Sequence, residues 1–192
     1  MGFMFDPKPV AFLILYIIII LLFYFLHIRK KGYSFFQVCI SFFFIAYLIC
    51  VFKETMLPIQ FFKEDLSQYD YRYYQLIPFK TILDVVSAHT WKMQIIGNIL
   101  LLLPLPFFIS IFKKGNLRLS KALIYTLITS IGIEIVQLLI NVITRVPNKV
   151  ADVDDILLNT LGGLIGWLIY YIISKHRFYK INVMKQLNTG QS

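Results

Sequence analysis

Three acidic residues lie inside or beside strongly apolar segments, where their side chains could carry acid–base or metal chemistry. Glu134 interrupts one apolar run, and Asp152 and Asp155 lie just ahead of another. A charge near the middle of a membrane helix costs about 2.5–3.5 kcal/mol, so such a residue needs a partner or a functional role. We therefore take Glu134, Asp152 and Asp155 as candidate catalytic residues.

Amide and basic side chains recur at spacings that place them near these acids. Gln137 and Asn141 lie three and seven residues after Glu134, which puts all three on one helical face. Asp155 and Asn159 likewise lie three and seven residues after Asp152, so these three residues share one helical face. The predicted substrate-binding residues are Asn98, Gln137, Arg145, Lys149 and Asn159. The two basic residues among them would attract a phosphate group.

A site of carboxylates and amides is compatible with three roles that the residues alone leave open. Its oxygen atoms suit a divalent cation such as Mg²⁺ or Ca²⁺, with Glu134, Asp152 and Asp155 as ligands. Its acids could also perform acid–base chemistry on a lipid-linked substrate. Alternatively, the acids cap a helix and pair with Arg145 and Lys149, so that the network only holds the helices together. The sequence shows no pattern typical of a nucleophilic triad.

The elements that must position these residues are membrane helices. Of the 192 residues, 58% are hydrophobic and 15% are charged, and the mean hydropathy is +0.72. Soluble domains carry about 45–50% apolar and about 25% charged residues, so an ordinary soluble enzyme is excluded. A run of roughly 20 apolar residues is long enough to cross a bilayer. Five such runs predict an all-α integral membrane protein: Val10–Ile28, Phe35–Phe52, Ile95–Phe112, Ala122–Ile143 and Ile156–Ile173.

The distribution of charge predicts the orientation of these five helices. The segments after the first, third and fifth runs are basic and contain no acid, whereas the opposite side holds every acid except Glu134. Because cytoplasmic segments are enriched in Lys and Arg, we expect the N-terminus outside and the C-terminus in the cytoplasm. This arrangement accounts for the net charge of +9 without a nucleic-acid partner. We expect a multi-pass protein of the cell membrane, with membrane lipids as partners.

The predicted order along the chain has three parts. Residues 1–52 form two transmembrane helices, residues 53–173 form an outer interfacial segment and three further helices, and residues 174–192 form a basic cytoplasmic tail. The interfacial segment, Lys53–Gln94, is rich in tyrosine, which suits the membrane–water boundary.

Glycine and proline residues predict how the last three helices pack. Gly162, Gly163 and Gly166 would let the fifth helix press against the fourth and bring the aspartates near Glu134. Two prolines in the third run, the first of them Pro104, predict a kink.

Four stretches of the sequence together form a recognisable pattern. They are Gly97 and Asn98 through Pro104, Glu134 to Gln137, and Asp152, Asp154 and Asp155 followed by Asn159, Gly162, Gly163 and Gly166, with Gln75 to Ile82 ahead of them. Over roughly Lys53 to Ile173, the sequence resembles the VanZ-like family of small bacterial membrane proteins. It departs from the family pattern at Lys149, where Arg is usual, and at Pro106, where Gly is common.

The resemblance implies a link to reduced susceptibility to teicoplanin and related lipoglycopeptides. Combined with an outward-facing polar site, it favours a protein that binds or modifies a cell-envelope lipid or lipid-linked glycan. The expected partners are membrane lipids, a lipid-linked cell-wall precursor or the lipoglycopeptide. The alternative is a non-enzymatic membrane protein whose polar residues only hold the helices together.

Overall fold

The structure, a computed structural model, describes residues 2–28, 35–61, 72–113, 115 and 117–175. Within these residues, all five predicted runs are helices long and apolar enough to cross a membrane. The helices are α1 (Pro9–Phe23), α2 (Phe35–Met56), α3 (Lys80–Ser87), α4 (Gly97–Leu102), α5 (Leu105–Phe112), α6 (Leu119–Thr144) and α7 (Val153–Lys175). A π-helical turn over Tyr24–Ile28 extends α1, and another over Lys92–Ile96 precedes α4. The predicted basic tail, and the basic cluster after the first run, lie outside the described residues.

The third span is broken at its prolines, as predicted. Leu103 and Pro104 form a turn between α4 and α5, because proline has no N–H to donate and its ring crowds the preceding helical turn. At this break, the hydroxyl of Tyr47 in α2 donates a hydrogen bond to the carbonyl of Leu101 (2.9 Å). Tyr47 also stacks on Phe108 of α5, with ring centroids 5.4 Å apart. These contacts fasten α2 to the third span.

Two short pairs of strands accompany the helices, and neither was predicted. β1 (Phe3–Phe5) pairs antiparallel with β2 (Ile59–Phe61). β3 (Tyr74–Gln75) pairs in parallel with β4 (Ala151–Asp152), which directly precedes α7. The second pair therefore ties the segment before α3 to the start of the fifth span.

The helix α7 lies at the centre of the packed part of the bundle, in contact with α3, α4, α5 and α6. Its glycines allow this, because small residues let helix backbones approach closely. Gly163 lies against Thr126 of α6, as expected. Gly162 and Gly166 instead lie against the backbone of the third span, which the sequence did not indicate.

The two ends of the bundle differ in charge. One end, which we call the aspartate end, is where α2 and α6 stop and α7 starts. At the opposite end, which we call the lysine end, α5 stops and α6 starts. The charged residues described at the lysine end are all basic: Lys113, Arg118, Lys121 and Lys175.

Candidate functional site

The loop between α6 and α7 folds back along α6 and carries the aspartates to the depth of Glu134. Glu134 lies ten residues before the end of α6, or about 15 Å along the helix. The backbone N–H of Asp152 nevertheless donates to Oε2 of Glu134 (2.8 Å). Asn141 holds the loop in place, because its side chain accepts from the N–H of Asn148 (2.9 Å) and donates to the carbonyl of Lys149 (2.6 Å). The aspartate-rich turn therefore enters the bundle and does not stand above it.

Asp152 caps the N-terminus of α7, which confirms the capping interpretation for this residue. Its Oδ1 accepts the N–H of Asp154 (2.9 Å), one of the helix donors that would otherwise lack a partner. Its Oδ2 accepts the hydroxyl of Thr81 in α3 (2.5 Å). Because both carboxylate oxygens have protein donors, Asp152 serves to position α3 and α7.

Asp154 is fully buried and caps a helix other than its own. Its Oδ1 accepts the N–H of Phe79 (2.6 Å), and its Oδ2 accepts the N–H of Ile82 (3.1 Å), at the start of α3. The sequence did not indicate this contact between Asp154 and α3. Asp152 and Asp154 together fix α3 over the aspartate end of the bundle.

Asn98 and Asp155 join the third and fifth spans. The amide nitrogen of Asn98 donates to Oδ1 of Asp155. Within the described ranges, no protein group donates to Oδ2 of Asp155. Asn98 and Asp155 are therefore in contact, whereas Glu134 does not line the same space, and one carboxylate oxygen of Asp155 remains available to a ligand.

These elements enclose a cavity of about 720 Å³, which we call the polar cavity. The α3 helix forms one wall, and α2, α4, α6 and the start of α7 contribute the others. Its polar and charged lining residues are Glu54, Thr55, Gln75, Lys80, Thr81, Asp84, Gln94, Asn98, Gln137, Lys149, Asp152 and Asp155. Its four carboxylates make this lining rich in hydrogen-bond acceptors, and its two lysines supply donors and positive charge.

Gln137 and Lys149 face the polar cavity from α6 and from the folded-back loop. Gln137 donates from Nε2 to the carbonyl of Thr55 (3.0 Å), while its buried Oε1 has no hydrogen-bond partner in the part of the chain described. Lys149 donates from Nζ to the carbonyl of Glu54. Burial lowers the pKa of the Lys149 ammonium, and the carboxylates of Glu54 and Asp155 act in the opposite direction. The cavity thus offers an unpartnered acceptor and a partly buried cation.

Glu134 lines a second space, a groove of about 350 Å³ between α6 and α7. We call it the lateral groove, and its other lining residues are apolar except for Asp152 and the hydroxyl group of Tyr74. The side chain of Glu134 is only 6% exposed. It is therefore buried inside the bundle, as predicted.

The remaining predicted residues lie elsewhere. Asn159 lies deeper in the bundle, where it donates to the hydroxyl of Ser130 (3.0 Å) and does not line the polar cavity. Arg145 ends α6 in a left-handed conformation (φ 57°), is exposed, and does not line the cavity either. Among the described residues, no three His, Cys, Asp or Glu side chains are grouped closely enough to hold a metal ion.

Sequence reasoning missed most of the α3 side of the cavity. Gln75, Lys80 and Thr81 line it, and none was chosen as a site residue. They lie in the Gln75 to Ile82 stretch that contributes to the family resemblance, and this was the signal that could have identified them.

A family model described as VanZ/LLP1 matches residues 44–174, which is more than half of the chain. The chain belongs to the VanZ/LLP1 family. No curated protein and no solved structure matches it. The matched region of this VanZ/LLP1 protein includes the polar cavity, the lateral groove and all of α3 to α6, whereas α1 and the first part of α2 precede it.

Proposed function

We propose that this VanZ/LLP1 protein lies in the bacterial cell membrane with its aspartate end outside and reduces susceptibility to teicoplanin-type lipoglycopeptides. In this proposal it binds, or modifies, the head of a cell-envelope lipid or lipid-linked glycan in the polar cavity. The basic residues at the lysine end favour the cytoplasm for that end, since cytoplasmic segments are enriched in Lys and Arg. The polar cavity then opens at the outer leaflet, where envelope lipids and these antibiotics meet.

The observation that carries the proposal is the set of unsatisfied acceptors in the polar cavity. Oε1 of Gln137 and Oδ2 of Asp155 have no donor among the described residues. Leaving the buried Gln137 oxygen without a partner costs typically about 1–3 kcal/mol, and the half-buried Asp155 oxygen is an acceptor open to the cavity, so a ligand that donates hydrogen bonds is favoured. The hydroxyl groups of a glycan or a glycerol head, or an ammonium group, supply such donors.

The lysines of the same cavity suit the phosphate that joins a lipid to its head. Lys149 reaches the cavity from the folded-back loop, and Lys80 reaches it from α3. Lysine is a compact point charge that binds phosphate without the planar two-point geometry of arginine. If the lipid is modified, Asp155 is the acid–base candidate on the cavity side, because Asp152 uses both of its oxygens within the protein.

A second candidate function is purely architectural, and specific contacts favour it. Asp154 and Asn141 are fully buried, and the hydrogen bonds of their side chains all go to backbone groups of this chain. A protein that shields the membrane without binding a lipid head would need the same contacts.

Teicoplanin susceptibility of a sensitive bacterium that expresses the chain separates the two candidates. We expect Asp155→Asn to remove protection while the amount of protein in the membrane stays unchanged, because the change deletes a charge facing the cavity. Asp6→Asn, which alters an exposed acid in the N-terminal segment, is the control and should protect as the unmodified chain does.

Two other results would count against the proposal. Full protection by Asp155→Asn would contradict a binding role for the polar cavity. A parallel fall in protein abundance and protection would favour the architectural function.

Glu134→Gln, which keeps the size of the side chain, should likewise abolish protection if that carboxylate has a chemical role.

A further inference from the structure

The β3–β4 pair separates the polar cavity from the lateral groove. Successive residues of a strand point to opposite faces. Gln75 accordingly lines the polar cavity, and Tyr74 lines the groove. Asp152 lines both spaces. The two compartments are thus adjacent and meet at Asp152.

The groove opens on the face of the bundle that meets hydrocarbon. Ile135 lines it and is 52% exposed, although it lies in the middle of a membrane-spanning helix. Ile131 lines it as well and is 39% exposed. Lipid chains surround such a surface in a bilayer, so the medium that fills this groove is hydrocarbon and not water.

One polar group faces this apolar space without a complete set of partners. Oε2 of Glu134 accepts the N–H of Asp152, but no group in the described ranges donates to Oε1. The side chain is more than nine-tenths buried and lines the groove. A hydrocarbon chain alone leaves this oxygen unsatisfied, whereas a lipid with a hydroxyl or amide near its head satisfies it.

We propose that the lateral groove holds a hydrocarbon chain of the same lipid whose head occupies the polar cavity. The ligand is then an intact membrane lipid that enters sideways from the bilayer between α6 and α7, and not a water-soluble glycan or antibiotic. A donor close to the lipid head meets Oε1 of Glu134, and Asp152 lies where head and chain join. This inference rests on the proposed function, because it assumes that the lipid head binds in the polar cavity.

The test uses two matched tryptophan variants of α6. Ile135→Trp fills the groove, while Leu139→Trp adds the same bulk at a lipid-facing position that does not line it. Both positions are 52% exposed, so neither change disturbs the buried core. The full chain, purified in mild detergent, is titrated with phosphatidylglycerol of long and of very short chains, and bound lipid is counted by native mass spectrometry. This lipid supplies a phosphate and two hydroxyl groups in its head.

We expect the unmodified chain to prefer the long-chain lipid. Ile135→Trp should weaken binding of that lipid about tenfold, since displacing even two buried CH₂ groups has an effect of this size. Leu139→Trp should leave it within about twofold, and neither variant should change binding of the short-chain lipid. If Ile135→Trp lowers the melting temperature, Ile131→Trp replaces it as the groove-filling variant.

An Asp155→Asn arm distinguishes failure of this inference from failure of the proposed function. If Asp155→Asn weakens both lipids but Ile135→Trp and Leu139→Trp behave alike, the lateral groove does not hold the chain and the head site stands. If Asp155→Asn affects neither lipid, or the unmodified chain binds neither, both proposals are overturned.

Discussion

Replacing Gly162 with alanine tests the close contact that brings the third and fifth spans together. A Cβ atom at this position would lie 1.9 Å from the carbonyl oxygen of Ile99 and 2.8 Å from its carbonyl carbon. A carbon atom and a carbonyl oxygen in favourable contact are about 3.3–3.6 Å apart. The backbones must therefore separate by at least about 1.4 Å. Neither atom is the end of a flexible side chain, so no rotamer change can absorb the clash.

The separation of the two backbones should also move Asn98 in the candidate site, because Asn98 directly precedes Ile99. We expect a shift of this size to break the hydrogen bond from the Asn98 amide to Asp155. Overpacking of this kind typically costs about 1–3 kcal/mol, and loss of the hydrogen bond adds about 1 kcal/mol. We expect Gly162→Ala to lower the melting temperature by several degrees and to weaken lipid binding at the polar cavity.

Thermal unfolding in detergent, followed by circular dichroism, measures the effect on stability. Gly132→Ala is the matched control, because a Cβ there has no neighbour within 4 Å. It should leave stability unchanged or raise it by up to about 1 kcal/mol through helix propensity. If Gly162→Ala melts at the same temperature as the unmodified chain, the tight packing of α7 against α4 is wrong.

Three further predictions concern the α3 helix beside the site, the orientation of the chain in the membrane and the charge of Lys149. Asp154→Ala leaves two backbone donors at the start of α3 without their acceptor, so hydrogen exchange of that helix should accelerate. Asp84→Asn, which changes an exposed cavity-lining acid of the same helix without removing a cap, should not change it. In a cysteine-free background, a cysteine at Gln94 should react with a membrane-impermeant maleimide on intact cells, and one at Arg118 should react only after lysis; the reverse result would contradict the orientation. The lowered pKa of Lys149 means that its positive charge is lost as the pH rises, starting below the ordinary value of 10.5. Phosphatidylglycerol binding should weaken over that range in the unmodified chain and stay constant in Lys149→Gln.

The five spans and the burial of Glu134 could be predicted because each depends on the local sequence. Apolar runs of sufficient length form helices in a bilayer whatever their neighbours are. A single carboxylate within such a run must turn inward for the same reason. The capping role of Asp152 could also be predicted from the local sequence. A helix often begins just after a residue whose side chain accepts a hydrogen bond from the backbone N–H two residues later, which here is that of Asp154.

The partners of these residues could not be predicted, because they depend on contacts between distant parts of the sequence. Asp154 caps a helix that begins more than seventy residues earlier. Helical periodicity gives the face on which Gly162 and Gly166 lie, but not which neighbouring helix meets that face. Strands of two residues, such as β3 and β4, are too short to show the alternating pattern by which strands are recognised.

The most direct test of a lipid-head site is to identify the lipids that copurify with the chain from bacterial membranes. Mass spectrometry of the purified protein should show a lipid with a phosphate and a donor-rich head, which should be absent from Asp155→Asn and present in Leu139→Trp. If the same lipid copurifies equally with the unmodified chain and with Asp155→Asn, the polar cavity does not bind a lipid head.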